Sequence, residues 1–253
     1  MNDAKTVLTP DVLIIGAGPS GAAAASLLRQ YGHQVLVLER QHFPRFSIGE
    51  SLLPQSMVFL EEAGLLDAVN QAAPEFGFQF KNGAAFLRGN ERTHFDFTDK
   101  FTAGPGTTWQ IKRASFDHVL AKQAEAYGAD IRYGHTVTAV DVSGDLALVD
   151  VQPEEGSAYQ VQPKFILDAS GFGRVLPKLL DLESPSNFPL RRAVFTHIAD
   201  HFDPTEFDRN KILISVHQHT QKRGFGTFRL PMAVARLAWW RKPIFTPSLV
   251  TWP

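Results

Sequence analysis

Three glycines and one carboxylate carry the first chemistry legible in this chain. Gly16, Gly18 and Gly21 stand at GxGxxG spacing within VLIIGAGPSGAAAAS, and Glu39 follows by about 20 residues. Gly16 allows a tight turn, Gly18 lets a pyrophosphate approach the backbone, and Gly21 lets a helix pack close to a strand. Pro19 and Ser20 open that helix, whose free N–H groups and positive end suit phosphate oxygens. Glu39, with Arg40 beside it, ends the next apolar run, where a carboxylate accepts from ribose hydroxyls. An acid at this place disfavours a 2′-phosphate, so FAD or NAD is favoured over NADP.

The elements that must position these groups follow from the pattern. The wholly apolar Val12 to Ile15 reads as a central parallel strand. Residues 22–28 read as a helix stopped at Gly32, and QVLVLE as the second strand. A loop, HFPRFSIGESLLPQS, comes next. It holds Arg45, Ile48, Gly49, Glu50 and Ser51 among Phe43 and Phe46. Gly49 permits close backbone approach to a flat ring. Glu50 and Ser51 offer polar groups to ribityl hydroxyls or a ring edge, while Arg45 could simply pair with Glu50. Pro54 suits the first turn of a helix over PQSMVFLEEAG. WQIKRASFDHVLAKQAEAYGADIRYG reads as strand, helix and strand, with Phe116, Leu120, Ala124 and Tyr127 as the apolar face and Gly128 as the stop. Three alternating runs then form an antiparallel meander before KFILDASG returns to the parallel sheet. There Asp168 either serves the cofactor or caps its own turn.

Residues 12–53 resemble the flavoprotein family of flavin-dependent halogenases, geranylgeranyl reductases and aromatic-ring hydroxylases. FPRFSIGESLLP is most similar to the halogenase branch, and the likeness runs more loosely to about residue 215. The resemblance implies FAD as cofactor, with the loop turning under the flavin. It also implies contacts from Arg113 at the start of its helix and from the Asp168 to Gly171 turn. In FGFQFKNGAAFLRG it makes Lys81 the counterpart of the lysine that lies between flavin and substrate. Reduced flavin and O2 give a hydroperoxide, which halide attacks to give hypohalous acid. A lysine can hold that acid as ammonium, or form a haloamine as free amine, and a partly apolar site lowers its pKa. The alternative role is a strand-edge lysine that aids solubility.

Composition sets limits. The 253 residues are 44 % hydrophobic and 20 % charged, with net charge −1, which gives no electrostatic footprint for nucleic acid. Without cysteine there is no disulfide, thiolate–zinc site, iron–sulfur cluster or thiol catalysis, which fits a cytoplasmic protein. No apolar run approaches the roughly 18 residues of a membrane span. The nine histidines are scattered; His217 and His219 share a strand face but lack a third ligand, so no metal is expected.

The expected fold is α/β: a Rossmann-type FAD-binding module (1–75 and 105–175) with an antiparallel meander, and a β-rich substrate module (76–104 and 176–222), incomplete at the C-terminus. Residues 223–253 form an aberrant tail, basic and broken by proline, expected to close no sheet and to pack loosely. The resemblance implies a W-x-W-x-I-P motif and a later Gly-Asp contact, and neither is present. Codons permitted for residues 223–246, read in a shifted frame, yield W-x-W-x-I-P, so the tail resembles a frameshifted continuation. The parent activity implied is halogenation of a small aromatic or pyrrole-like substrate, possibly carrier-bound. It uses halide, O2 and a separate flavin reductase, and this chain itself is expected to be impaired. The alternatives are a flavin monooxygenase, a geranylgeranyl-type reductase and a non-catalytic fragment.

Overall fold

The computed structural model describes residues 6–188, 192–198, 207–216, 224–230 and 233–240. His217 and His219, and the tail beyond residue 240, lie outside the described residues. The chain divides into two compact units. One comprises Met1–Glu50, Gln55–Phe76 and Ile111–Ser184; the other comprises Ser51–Pro54, Gly77–Gln110 and Pro185–Pro253. The unit boundaries differ from the expected ones at Ser51–Pro54 and residues 105–110, which group with the second unit, and at residues 176–184, which group with the first.

The first unit is a three-layer α/β structure. Its parallel sheet has the strand order Phe165–Asp168, Val12–Ile15, Val35–Glu39, Asp130–Tyr133. Val12–Ile15 and Val35–Glu39 are buried throughout, which is why they read as unbroken apolar runs rather than alternating ones. Leu13, Ile15, Leu36 and Leu38 face one way, into Val137, Val149, Val151, Tyr159 and Val161 of the meander. That meander is the antiparallel set His135–Asp141, Leu148–Pro153 and Tyr159–Val161, with Val7–Leu8 added in parallel at its edge. Alternation turns Ile14 and Val37 the other way, toward the helical layer.

Helix Pro19–Gln30 connects the first two parallel strands. It starts with proline in its first turn and is followed by Gly32 in the left-handed region at φ 86°. Its buried residues are Gly21, Ala22, Ala25 and Ser26, so it can lie close on the sheet. Helix Arg113–Ala126 buries Phe116, Leu120, Ala121 and Ala124. Helix Gln55–Glu62 follows Pro54, and a further helix, Leu66–Phe76, was not foreseen. Pro74 inside that second helix hid it from a periodicity reading.

The second unit holds a six-stranded sheet, in the order Arg192–Ile198, Ala233–Trp240, Gly224–Leu230, Lys211–Val216, Gly83–Arg88, Glu91–Asp96. Only the Lys211–Val216 and Gly83–Arg88 pair is parallel. The expectation that the tail closes no sheet is therefore corrected for residues 224–230 and 233–240. Their backbones pair with each other and with flanking strands. The physical reason is local: GFGTFRL and AVARLAWW are β-prone segments separated by two residues, a hairpin spacing. A separate two-stranded ribbon pairs Gln79–Lys81 with Thr108–Gln110, and Ser51 bridges to Gln110. No helix among the described residues is long and apolar enough to cross a membrane.

Candidate functional site: a dinucleotide cleft and a buried lysine

The glycine turn is shaped by contacts that differ at each position. Gly16 has φ 100°, and a Cβ there would lie 2.7 Å from the Ala169 carbonyl oxygen. A Cβ on Gly21 would collide with the Gly16 carbonyl. Gly18 is different: it has φ −65°, and a Cβ would meet only Arg45 Nη2, at 3.7 Å. The protein fills the space beside Gly16 and Gly21 but leaves Gly18 bare, which is where a pyrophosphate needs the backbone. The helix that follows carries no acid in its first turn to neutralise its positive end.

Glu39 is 5 % exposed and ties the turn to the second strand. Its carboxylate accepts from the backbone N–H of Ala17 at 2.9 Å and of Gln41 at 3.0 Å. Around these residues lies a cleft of about 720 Å³, lined in part by Gly18, Pro19, Ser20, Glu39 and Arg40. Arg113 and Gly171 line it too, whereas Asp168, Ile48, Gly49 and Glu50 do not. Asp168 spends both carboxylate oxygens on the turn and the short helix after it, accepting from Ser170 N at 2.9 Å and Leu176 N at 2.8 Å. Gly49 sits at φ 99°, where a Cβ would be 3.1 Å from Arg113 Nη1. Arg113 Nη1 donates to the Ile48 carbonyl at 2.6 Å, and Ile111 N donates to the Glu50 carbonyl at 2.8 Å. The loop is thus pinned by backbone groups that the sequence does not label.

One residue here went unread. Asp117 has a fully buried side chain and accepts from Arg113 Nε at 2.7 Å, Arg113 Nη2 at 3.0 Å and Arg45 Nη1 at 3.1 Å. Arg45 is therefore paired with Asp117 rather than with Glu50. The available signal was Arg113 and Asp117 at i,i+4, which on most helices marks a solvated pair. The residues present fit FAD: a bare glycine turn, an acid at the end of the second strand, and a cleft faced by Arg40, Arg45, Arg113 and Lys178 against Glu39 alone.

The second unit places Lys81 at the end of its short strand, 1 % exposed. Nζ donates to Ser51 Oγ at 2.7 Å and to the Leu52 carbonyl at 2.7 Å, and stands 5.3 Å from the centroid of the Phe97 ring. Burial lowers its pKa to about 8. Ser51, expected to serve the flavin, accepts from this ammonium through its hydroxyl oxygen. Among the described residues no group of three or more His, Asp or Glu side chains is placed to hold a metal.

Comparison with known proteins supports FAD as the cofactor. The family model described as FAD binding domain matches residues 9–248. A flavin-dependent halogenase of Armillaria mellea is 33 % identical over 174 residues, 67 % of this chain and 34 % of that protein. The crystal structure of a flavoprotein/dehydrogenase from Cytophaga hutchinsonii superposes with TM-score 0.85 at 41 % identity, covering 93 % of this chain and 56 % of that one. The myxobacterial chondrochloren halogenase gives TM-score 0.76 at 30 % identity, covering 91 % of this chain and 52 % of its own. The chain spans about a third of the length of the curated relatives it matches and about half that of these solved structures. The chain therefore belongs to the FAD-binding domain family, with FAD as its cofactor and flavin-dependent halogenases among its relatives.

Proposed function

We propose that this protein is a flavin-dependent halogenase acting on an aromatic or pyrrole-like substrate, free or bound to a carrier protein, in the cytoplasm. It would use halide, O2 and FAD reduced by a separate reductase. Relatives named for tryptophan and for a pyrrole-2-carbonyl group on a peptidyl-carrier protein support that substrate class. The observation that carries the reading is Lys81, a buried lysine that pairs with no described carboxylate and is oriented by Ser51 Oγ and the Leu52 carbonyl. A structural lysine is normally left at the surface or ion-paired.

FAD, once reduced, supplies the activation of O2 that oxidises halide to hypohalous acid. Lys81 does the rest on this reading. Two of its N–H groups are held, and the third donates to the oxygen of HOX, drawing electrons from the halogen. The ring carbon attacks the halogen, the O–X bond breaks, and the ring proton leaves with the oxygen: ArH + HOX → ArX + H2O. The apolar Phe97 face beside Nζ keeps water from competing for the oxidant. Gly16, Gly18, Pro19, Ser20, Gly21, Glu39 and Arg40 would hold the ADP half of FAD. Ile48, Gly49, Glu50, Ser51, Arg113, Asp168 and Gly171 would form the flavin side.

A second reading, a flavin-dependent reductase or monooxygenase, draws on the 41 % identity to the chain described as a flavoprotein/dehydrogenase. The test is to supply reduced FAD, O2, chloride or bromide, and tryptophan or a pyrrole-2-carboxamide, and to follow product by mass spectrometry. Halogenated product is expected from the unsubstituted protein, in the low yield of an impaired chain. Lys81→Ala and Lys81→Met should consume O2 at the parent rate and lose at least a hundredfold in product. Substrate-dependent flavin turnover with no halogenated product would replace the first reading with the second.

A further inference from the structure

The flavin motifs leave one charge arrangement in the cleft without a purpose. Arg45 and Arg113 are largely buried, with side chains 14 % and 16 % exposed, and both are bound to the same sealed carboxylate, Asp117. Like-charged guanidinium groups rarely gather in a protein interior unless an anion is shared between them or received by them.

The two arginines are not equivalent. Arg113 commits Nε and Nη2 to Asp117 and Nη1 to the Ile48 carbonyl, so every nitrogen of its fork is engaged. Arg45 commits only Nη1 to Asp117. Its Nη2 is 3.9 Å from Glu39 Oε2, too far for a hydrogen bond. Its Nε is buried with no hydrogen-bond partner. The Phe43 ring centroid lies 4.7 Å from the guanidinium carbon, a cation–π contact. Nη2 is also the one atom that a Cβ on Gly18 would meet, at 3.7 Å. The unused side of the Arg45 fork therefore lies over the bare glycine. A buried N–H left without an acceptor is destabilising, and an oxyanion accepting there offsets that cost.

We propose that Arg45 receives the FAD pyrophosphate above Gly18, and that Asp117 is the positioning residue that holds Arg45 there while fixing Arg113 against the loop. The inference rests on FAD binding and is independent of halogenation.

ADP tests it without flavin chemistry, because ADP carries the pyrophosphate but neither ribityl chain nor ring. Titration calorimetry of the flavin-free protein with ADP should show about a tenfold weakening for Arg45→Met. Asp117→Asn should weaken ADP to a similar degree. In the double variant the Asp117→Asn change should add less than twofold, because its effect runs through Arg45. Arg45→Lys leaves Asp117 untouched and keeps the charge, but it replaces a planar fork, one edge on Asp117 and the other over Gly18, with a single nitrogen that cannot reproduce that geometry. It should lose nearly as much as Arg45→Met, which keeps the inference open to test if Asp117→Asn folds poorly. Thermal melts of each flavin-free variant separate folding from binding. Parent-like ADP affinity in Arg45→Met would overturn the contact, and so would a parent protein that binds no ADP. Fully additive losses in the double variant would overturn the positioning role of Asp117.

Discussion

At the scale of single residues, the glycine turn makes two opposite forecasts. Gly18→Val should fold, because φ −65° suits any residue and a Cβ meets only Arg45 at ordinary contact distance. It should nevertheless lose FAD by at least a hundredfold, measured by flavin fluorescence titration, since its branches occupy the pyrophosphate position. Gly21→Ala should do the reverse and damage the fold first, costing about 1–3 kcal/mol or more in denaturant melts, because its Cβ runs into the Gly16 carbonyl. Lys81 yields a pH forecast. Burial brings its pKa from 10.5 to about 8, so between those values the unfolded chain binds more protons than the folded one. Stability should rise with pH across that window, and the full cost of the buried ammonium should be felt below pH 8. The stability of Lys81→Met relative to the parent should thus be greatest at pH 7 and shrink by roughly 2–3 kcal/mol by pH 10.5, read from urea melts at both pH values.

At the scale of elements, the legible parts were those whose local pattern and tertiary setting agree. VLII, the glycine turn, VLVLE and the Arg113–Ala126 helix all lie where their periodicity puts them, because each buries the face its pattern marks. Asp117 was illegible because its burial depends on Arg45, which is 72 residues away in sequence and arrives on a separate loop. The role of Ser51 was hidden for a similar reason: its partner, Lys81, belongs to a strand 30 residues later. In the second unit, Lys211 at the head of its strand donates to Asp208 at 2.7 Å, Asn82 at 3.1 Å and Asp96 at 3.3 Å, joining three chain segments at the parallel pair. Asp96 is held down to about 2, first by the Thr98 hydroxyl and backbone N–H and then by Lys211. Its contribution to stability is therefore present above pH 4 and lost as pH falls from about 4 toward 2. Thr98→Val should flatten the acid side of the stability curve, and circular-dichroism melts at pH 5 and pH 3 would show whether it does.

At the scale of the whole molecule, FAD should act as a stabiliser. A ligand that binds only the folded state at a hundredfold excess over its dissociation constant adds about 2.7 kcal/mol. FAD should therefore raise the melting midpoint of the parent protein clearly, and ADP should raise it less. An unchanged midpoint with saturating FAD would mean that the cleft does not close on the cofactor. The order of strands in the parallel sheet has a further consequence, for synthesis. Val12–Ile15 lies between a strand made soon after it and one, Phe165–Asp168, made about 150 residues later. The glycine turn leans on Ala169, just past that late strand. A nascent chain leaving the ribosome thus exposes its nucleotide turn long before the wall behind it exists. Cofactor capture must wait until some 170 residues have emerged, so flavin starvation in the cell would act on nearly finished chains rather than on early intermediates.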